Sequence, residues 1–222
     1  MAQTQGHRRR RKPVPRTPEA TRARLIVAAQ TLFNTKGFDG TDSNRIARKA
    51  GFAPQTFYRH FPDKTAIFLA VTDQWWRAEA ETYARALGLP LSGGVNPSAR
   101  AAAKKVPRAA AKPAPRTAAR ILLGFHTEWR IFRRALRNLA GSTPAVAMAR
   151  CAARQAQLTA LASLAPVPRG SRPQTHLSAL LTVERLCDAA ADGELADLGL
   201  SQRAILTLIE DSLLVLLRRT QP

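Results

Sequence analysis

Residues 41–64 read TDSNRIARKAGFAPQTFYRHFPDK, two short helical patterns separated by a turn of small residues. Ile46, Ala47 and Ala50 form the apolar side of the first, and Ala50-Gly51-Phe52-Ala53 makes the turn. Pro54 opens the second segment, where its missing N–H would have had no helical acceptor anyway. That segment is mostly polar or aromatic: Gln55, Thr56, Tyr58, Arg59 and His60. Phe57 and Phe61, four residues apart, anchor it inward. A helix that buries so little and presents so many hydrogen-bonding groups suits a polar, repetitive surface. The pattern is that of a helix-turn-helix placed in a DNA major groove.

The flanking residues fit a small three-helix domain. Thr17-Pro18-Glu19 is a helix start, with Thr as N-cap, Pro at N1 and an acid in the first turn. Leu25, Ala28, Ala29, Leu32 and Phe33 then repeat at helical spacing, so one face of this brace helix is buried. Gly37 ends it, and Phe38 is expected to fold back on the core. Thr41 is the expected N-cap of the next helix, with Asp42 favourable at its positive end. Thr41, Ser43 and Asn44 can also offer donors to a phosphate; capping alone would explain Thr41. Gln55 can pair with adenine and Thr56 can touch a thymine methyl, while Tyr58 and His60 suit phosphate oxygens. Alone, His60 would read as an ordinary surface histidine; among five polar or aromatic neighbours it reads as part of a contact surface. Asp63 caps the following helix, and Lys64 stands within reach of a DNA backbone.

Thr41, Ile46-Ala47, Ala50-Gly51-Phe52, Thr56-Phe57-Tyr58-Arg59-His60-Phe61 and Lys64, with Leu32-Phe33 and Gly37-Phe38 before them, resemble the DNA-binding domain of the TetR family of bacterial transcriptional regulators. The resemblance covers roughly residues 18–75 and is weaker beyond. It implies that Thr41 and Tyr58 grip phosphates, that Gln55 and Thr56 face bases, and that His60 and Lys64 contact the backbone. Ala53 stands where the family often has Ser, so the reading helix lacks its usual capping side chain and relies on Pro54.

The whole chain is expected to be all-α. A basic arm (1–16) precedes the helix-turn-helix domain (17–65, motif 42–61) and a linking helix (66–91). A basic, Pro/Ala-rich insertion (92–117) separates these from a helical ligand-binding and dimerisation bundle (118–222). The linking helix has Ile67, Phe68, Val71 and Trp75 inward and ends by Gly88. Adjacent Trp75 and Trp76 cannot share a face. Further helices are expected over 121–139, 144–164, 175–191 and 202–219. Phe125, His126 and Trp129, with Trp75, either belong to the core or line a ligand pocket. Arg130, Arg133, Arg134 and Arg137 are read as a solvated surface. The last helix is apolar nearly all round, so it must be buried on several sides. The resemblance implies a four-helix dimer interface from Leu177, Leu180, Leu181, Ile205, Leu206, Ile209, Leu213 and Leu216; a monomer core is the rival.

The formal net charge is +20 over 222 residues. Twelve of those twenty excess charges lie in residues 1–17 and 92–117, which have no acid. Residues 1–16 and 92–117 lack apolar periodicity and are expected to be disordered, either in contact with DNA or as solvated polar segments. Two cysteines, Cys151 and Cys187, give no disulfide framework or zinc pattern, which points to a reducing compartment. The arginine-rich start is followed by Pro13 and Pro15 rather than an apolar stretch, so the cytoplasm is the expected location. No cofactor, metal or membrane partner is implied. No GxSxG, HExxH, P-loop or GxGxxG motif occurs, and an enzyme is not expected. The sequence therefore reads as a dimeric regulator, most simply a repressor, binding a near-palindromic double-stranded DNA operator and responding to a small-molecule effector. The alternative is an architectural protein that coats DNA through its basic segments.

Overall fold

The computed structural model describes residues 17–88, 114–164 and 174–218, with side chains placed over 17–88, 114–159 and 177–214. The basic arm, nearly all of the basic insertion, and the side chain of Leu216 lie outside these. Every regular element among the described residues is a helix: α1 (Pro18–Lys36), α2 (Ser43–Lys49), α3 (Pro54–Tyr58), α4 (Lys64–Leu87), α5 (Pro115–Glu128), α6 (Arg130–Ser142), α7 (Pro144–Leu164), α8 (Gln174–Asp192), α9 (Glu194–Asp197) and α10 (Gln202–Arg218).

Local chemistry sets most of the boundaries. Thr17 caps α1 by accepting from the Ala20 N–H at 3.2 Å. Gly37 ends it at φ +71°, a conformation that costs glycine nothing sterically. Asp63 caps α4 through the Ala66 N–H at 2.7 Å, and Gly88 closes that helix in the left-handed region. α5 begins at Pro115, so residues 115–117 of the expected insertion belong to the bundle. The single helix expected over 121–139 is two: Trp129 caps α5 and starts α6 at φ −105°, ψ 14°. The bulky indole is buried there, and the helix direction resets around it.

Two apolar clusters hold the chain together. The first joins the helix-turn-helix domain to α4, α6 and α7 through Phe33, Phe57, Phe68, Trp75, Trp129 and Phe132. Phe38 folds back as expected, lying 5.8 Å from Phe33 and 5.2 Å from Phe68 between ring centroids. The second unites the end of α4 with α5, α8 and α10 through Leu122, Leu180, Val183, Ile209 and Leu213. α4 runs through both clusters. It connects the helix-turn-helix domain to the bundle.

Candidate nucleic-acid interface and effector cavity

α2 and α3 are held from beneath by Ile46, Ala47 and Phe57, all with no exposed surface. Gly51, at φ +77°, makes the turn between them. A residue the sequence reading passed over fixes that turn: Arg24 of α1 donates to the Ala50 carbonyl at 2.6 Å and lies 4.6 Å from the Phe52 ring centroid. Its partner is 26 positions away, so no local pattern announces it.

Several expected roles need correction. Thr41 does not cap α2; Asp42 does, accepting from the Arg45 N–H at 2.8 Å. A carboxylate at this end satisfies an orphan donor and also complements the helix dipole. Thr41 is buried, with its hydroxyl donating to Gly37 O at 2.8 Å and its N–H to Phe38 O at 3.2 Å. Neither donor is left for a phosphate. Lys64 donates to Phe38 O at 2.9 Å with its ammonium 3.9 Å from the Phe38 ring centroid, so it is engaged within the domain. α3 stops at Tyr58, leaving Arg59 and His60 beyond the helix. The Phe57 carbonyl accepts from both His60 and Phe61 N–H at 2.9 Å, and Pro62 cannot continue the ladder.

Other placements suit a contact surface. Gln55, Tyr58 and Arg59 are exposed; Pro54, Thr56 and His60 are half-buried. Ala53 offers no side-chain cap to α3. Ser43 and Tyr58 share a hydrogen bond of 2.9 Å, and Asn44 is exposed beside them. In the first turn of α2 the N–H groups of Ser43 and Asn44 have no intrahelical acceptor.

Residues 25–71 match the family model described as bacterial regulatory proteins, tetR family. The match runs from within α1 to within α4 and so spans the helix-turn-helix. An HTH-type transcriptional regulator of Bacillus subtilis (strain 168), YdgC, is 42% identical over 48 residues, which is 22% of this chain and 25% of that protein. The chain thus matches about a quarter of that relative's length. Over nearly the whole chain the likeness is to solved structures. A TetR-family transcriptional regulator from Mesorhizobium loti MAFF303099 aligns over 92% of this chain and 98% of its own, at 22% identity and TM-score 0.61. A flavonoid-responsive regulator, FrrA, aligns over 92% and 98%, at 26% identity and TM-score 0.52.

The bundle contains a narrow cleft walled by α4, α6, α7 and α8, with a volume of about 20 Å³, room for about one water. Of the expected pocket residues only Trp75 lines it. Trp75 is buried and stacks on Phe125 at 6.0 Å, and its indole N–H has no partner among the described residues. Trp129 is core, and Phe125 is half-buried against it. His126 is fully buried in a polar network. Its Nδ1 lies 2.8 Å from Asp188 Oδ1 and its Nε2 lies 3.2 Å from the Tyr83 hydroxyl. Burial lowers the His126 pKa against the pull of Asp188. A neutral ring donating to Asp188 then accepts from Tyr83.

Arg133 is not on a solvated surface. It is buried, paired with Glu79 of α4 and with Asp188 of α8 at 2.6 Å, and lies 5.1 Å from the Trp75 ring centroid. Arg137 pairs with Asp188 at 2.6 Å and with Asp192 at 2.9 Å, and Arg134 pairs with Asp192 at 2.8 Å. Arg130 is exposed and, among the described residues, has no such partner. Burial pushes the Glu79 carboxyl up to about 7 despite Arg133. Burial would also raise Asp188, but hydrogen bonding from His126 and the Arg133 charge outweigh it and hold that carboxyl well below the usual range.

The expected dimer residues divide. Leu180, Ile205, Leu206, Ile209 and Leu213 are buried within one chain, where α8, α10 and α5 pack together. They form a monomer core and are unavailable to a second copy. Leu181 is 44% exposed and Leu177 half-buried, lining an open groove on α8 with Leu186 and Arg185. Leu208 of α10 is also exposed.

Proposed function

We propose that this protein is a dimeric, effector-responsive transcriptional regulator, a repressor in the simplest form, which binds a near-palindromic DNA operator in the cytoplasm. The observation that carries this reading is α3. Buried Phe57 holds the helix in place while Gln55, Thr56 and Tyr58 face outward or lie at its edge. Gln55 and Thr56 would read base edges. Tyr58, His60, Arg59 and Pro54 would lie along the backbone, with the free N–H groups of Ser43 and Asn44 at a phosphate. Thr41 and Lys64 would act by bracing the domain. On a twofold axis, two such heads would engage half-sites about 34–36 Å apart or a multiple of that spacing.

An effector that opened the bundle cleft would touch Trp75, Trp76 and Glu79 of α4, whose other end begins directly after the reading head. Any ligand that favours one placement of α4 changes the spacing of the heads, and so the affinity for the operator. The likeness to a flavonoid-responsive regulator supports an organic effector. The bundle's fold matches regulators, and catalysis has no support among the described side chains. Among the described residues no helix is long and apolar enough to cross a membrane.

Footprinting on the DNA upstream of the gene tests this reading against that of an architectural coat. A regulator protects one palindromic site in the presence of excess bulk DNA. Uniform protection that bulk DNA removes would favour coating through the basic segments.

A further inference from the structure

Glu79 is a buried acid of α4, and both of its oxygens are engaged by other helices. Oε1 is paired with Arg133 of α6, and Oε2 accepts from Gln157 Nε2 of α7 at 3.0 Å. The other end of that amide is also fixed. Gln157 Oε1 accepts from Arg154 Nη1 at 3.0 Å, and Arg154 donates to Glu184 of α8 at 2.6 Å. The arrangement requires an ionised Glu79, because a carboxylate only accepts. Burial opposes that state most and the Glu184 charge adds to it, while Arg133 and Arg154 support it; the balance leaves the carboxyl raised to about 7. Tyr83 of α4, His126 of α5, Arg137 of α6, Arg150 of α7 and Asp188 of α8 complete the polar surroundings. Glu79 lines the narrow cleft beside half-buried Trp76 and Arg150, so a proton has a way in.

We propose that the bundle is a proton switch: a proton taken up on Glu79 Oε2 breaks the tie that Gln157 makes between α4 and Arg154, and operator binding weakens. A protonated Oε2 is a donor, and it faces the Gln157 NH2 group, which is also a donor. Turning the amide over gives Glu79 an acceptor but sets the NH2 against the Arg154 guanidinium, which has only donors. One of the two bonds is lost either way. Arg133, facing a neutral acid, keeps Asp188 as its partner. The ionised network ties α4 to both α6 and α7 and so narrows the range of head spacings; protonation widens that range, at a cost in affinity. The proposal rests on the reading above, in which α4 links the bundle to the operator, and adds the proton as a regulator.

The test follows operator affinity and tryptophan fluorescence of the full-length chain from about pH 5.5 to 8.5, in wild type, Glu79→Gln and Gln157→Met. Trp75 and Trp76 line the cleft with Glu79 and report its charge. Glu79→Gln holds the neutral form at every pH. Wild type should bind the operator on the order of tenfold tighter than this variant at the alkaline end, and equally at the acid end. Groups of the reading head act alike in both proteins and cancel from the ratio. Fluorescence should titrate near neutrality in wild type and be flat there in Glu79→Gln. In Gln157→Met the midpoint should move to higher pH, because the ionised carboxylate has lost a donor, while operator affinity stays at the acid-state level throughout. A merely structural Gln157 would leave the midpoint in place, and this variant keeps the test open should Glu79→Gln not fold. The proposal is overturned if the affinity ratio does not change with pH, if the fluorescence step survives Glu79→Gln, or if Gln157→Met titrates as wild type does. A fluorescence step that depends on Glu79, with no operator bound at any pH, upholds the titrating network and overturns the regulator reading instead.

Discussion

The Ser43 hydroxyl and the Tyr58 hydroxyl lie 2.9 Å apart, tying the first turn of α2 to the last residue of α3. The pair is exposed, and each hydroxyl keeps a lone pair or proton for a further partner. A phosphate at this point would therefore meet two coupled hydroxyls beside the free N–H groups of the α2 N-terminus. Coupling them fixes the angle between the two helices of the motif without burying either group.

Replacing Tyr58 by Phe removes that link and the hydroxyl proposed to meet a phosphate. Because the side chain is 57% exposed, stability should change by no more than about 0.5 kcal/mol. Operator affinity should fall several-fold, with the oligomeric state unchanged. A gel-shift titration alongside urea denaturation separates the two effects. Wild-type affinity for a specific operator would remove Tyr58 from the interface.

Arg24 acts differently, through the scaffold. Arg24→Ala deletes the bond to Ala50 O and the contact with the Phe52 ring, freeing the turn at Gly51. The expected loss is about 1–2 kcal/mol by chemical denaturation. DNA binding should weaken for every sequence tested, since no base contact is removed. A change confined to one base pair of the operator would argue that Arg24 itself touches DNA.

What was legible in the sequence follows the range of the interactions. Phe57 and Phe61, Gly37, Asp63 and the Pro54 start are set by neighbours within a turn or two, and the motif could be read from them. The helix break at Trp129 and the shortening of α3 at Tyr58 depend on how one side chain meets the core, which periodicity does not carry. Arg133 shows the limit most plainly. Its partners Glu79 and Asp188 lie 54 and 55 positions away, so along its own helix it looked like any solvated arginine. Likewise Ile209 and Leu213 read equally well as core or interface, and only the packing of α8 against α10 decides between them.

Glu79 carries a pH prediction with a definite sign. Its folded-state pKa is raised from 4.5 to about 7, so between those values the native state binds more protons than the unfolded chain. Stability contributed by this group therefore falls as pH rises from about 4.5 to 7. Glu79→Gln removes the dependence. The variant should gain on the wild type as pH rises across that window, whatever its absolute stability, because Arg133 keeps Asp188 as a partner. His126, with a lowered pKa, acts in the opposite sense in both proteins and cancels from the comparison. Guanidinium melts at pH 5, 6, 7 and 8 supply the test, and a constant difference would place the Glu79 titration elsewhere.

The exposed side of α8 carries the remaining prediction. Leu181 and Leu177 line an open groove with Leu186, and exposed Leu208 stands on α10, whereas Ile209 and Leu213 are sealed within the chain. If a second copy docks on this side, Leu181→Glu should dissociate the dimer in light scattering while leaving the helical content intact. A charge brought into a dry interface has no partner there, though in the free monomer it meets water. Ile209→Ala should do the reverse, costing about 2–5 kcal/mol of fold stability with association preserved in the fraction that remains folded. Both variants lower operator affinity, the first in a way that higher protein concentration restores, since a lost dimer is recovered by mass action and a lost fold is not. A Leu181→Glu protein that stays dimeric at micromolar concentration would move the interface off this face.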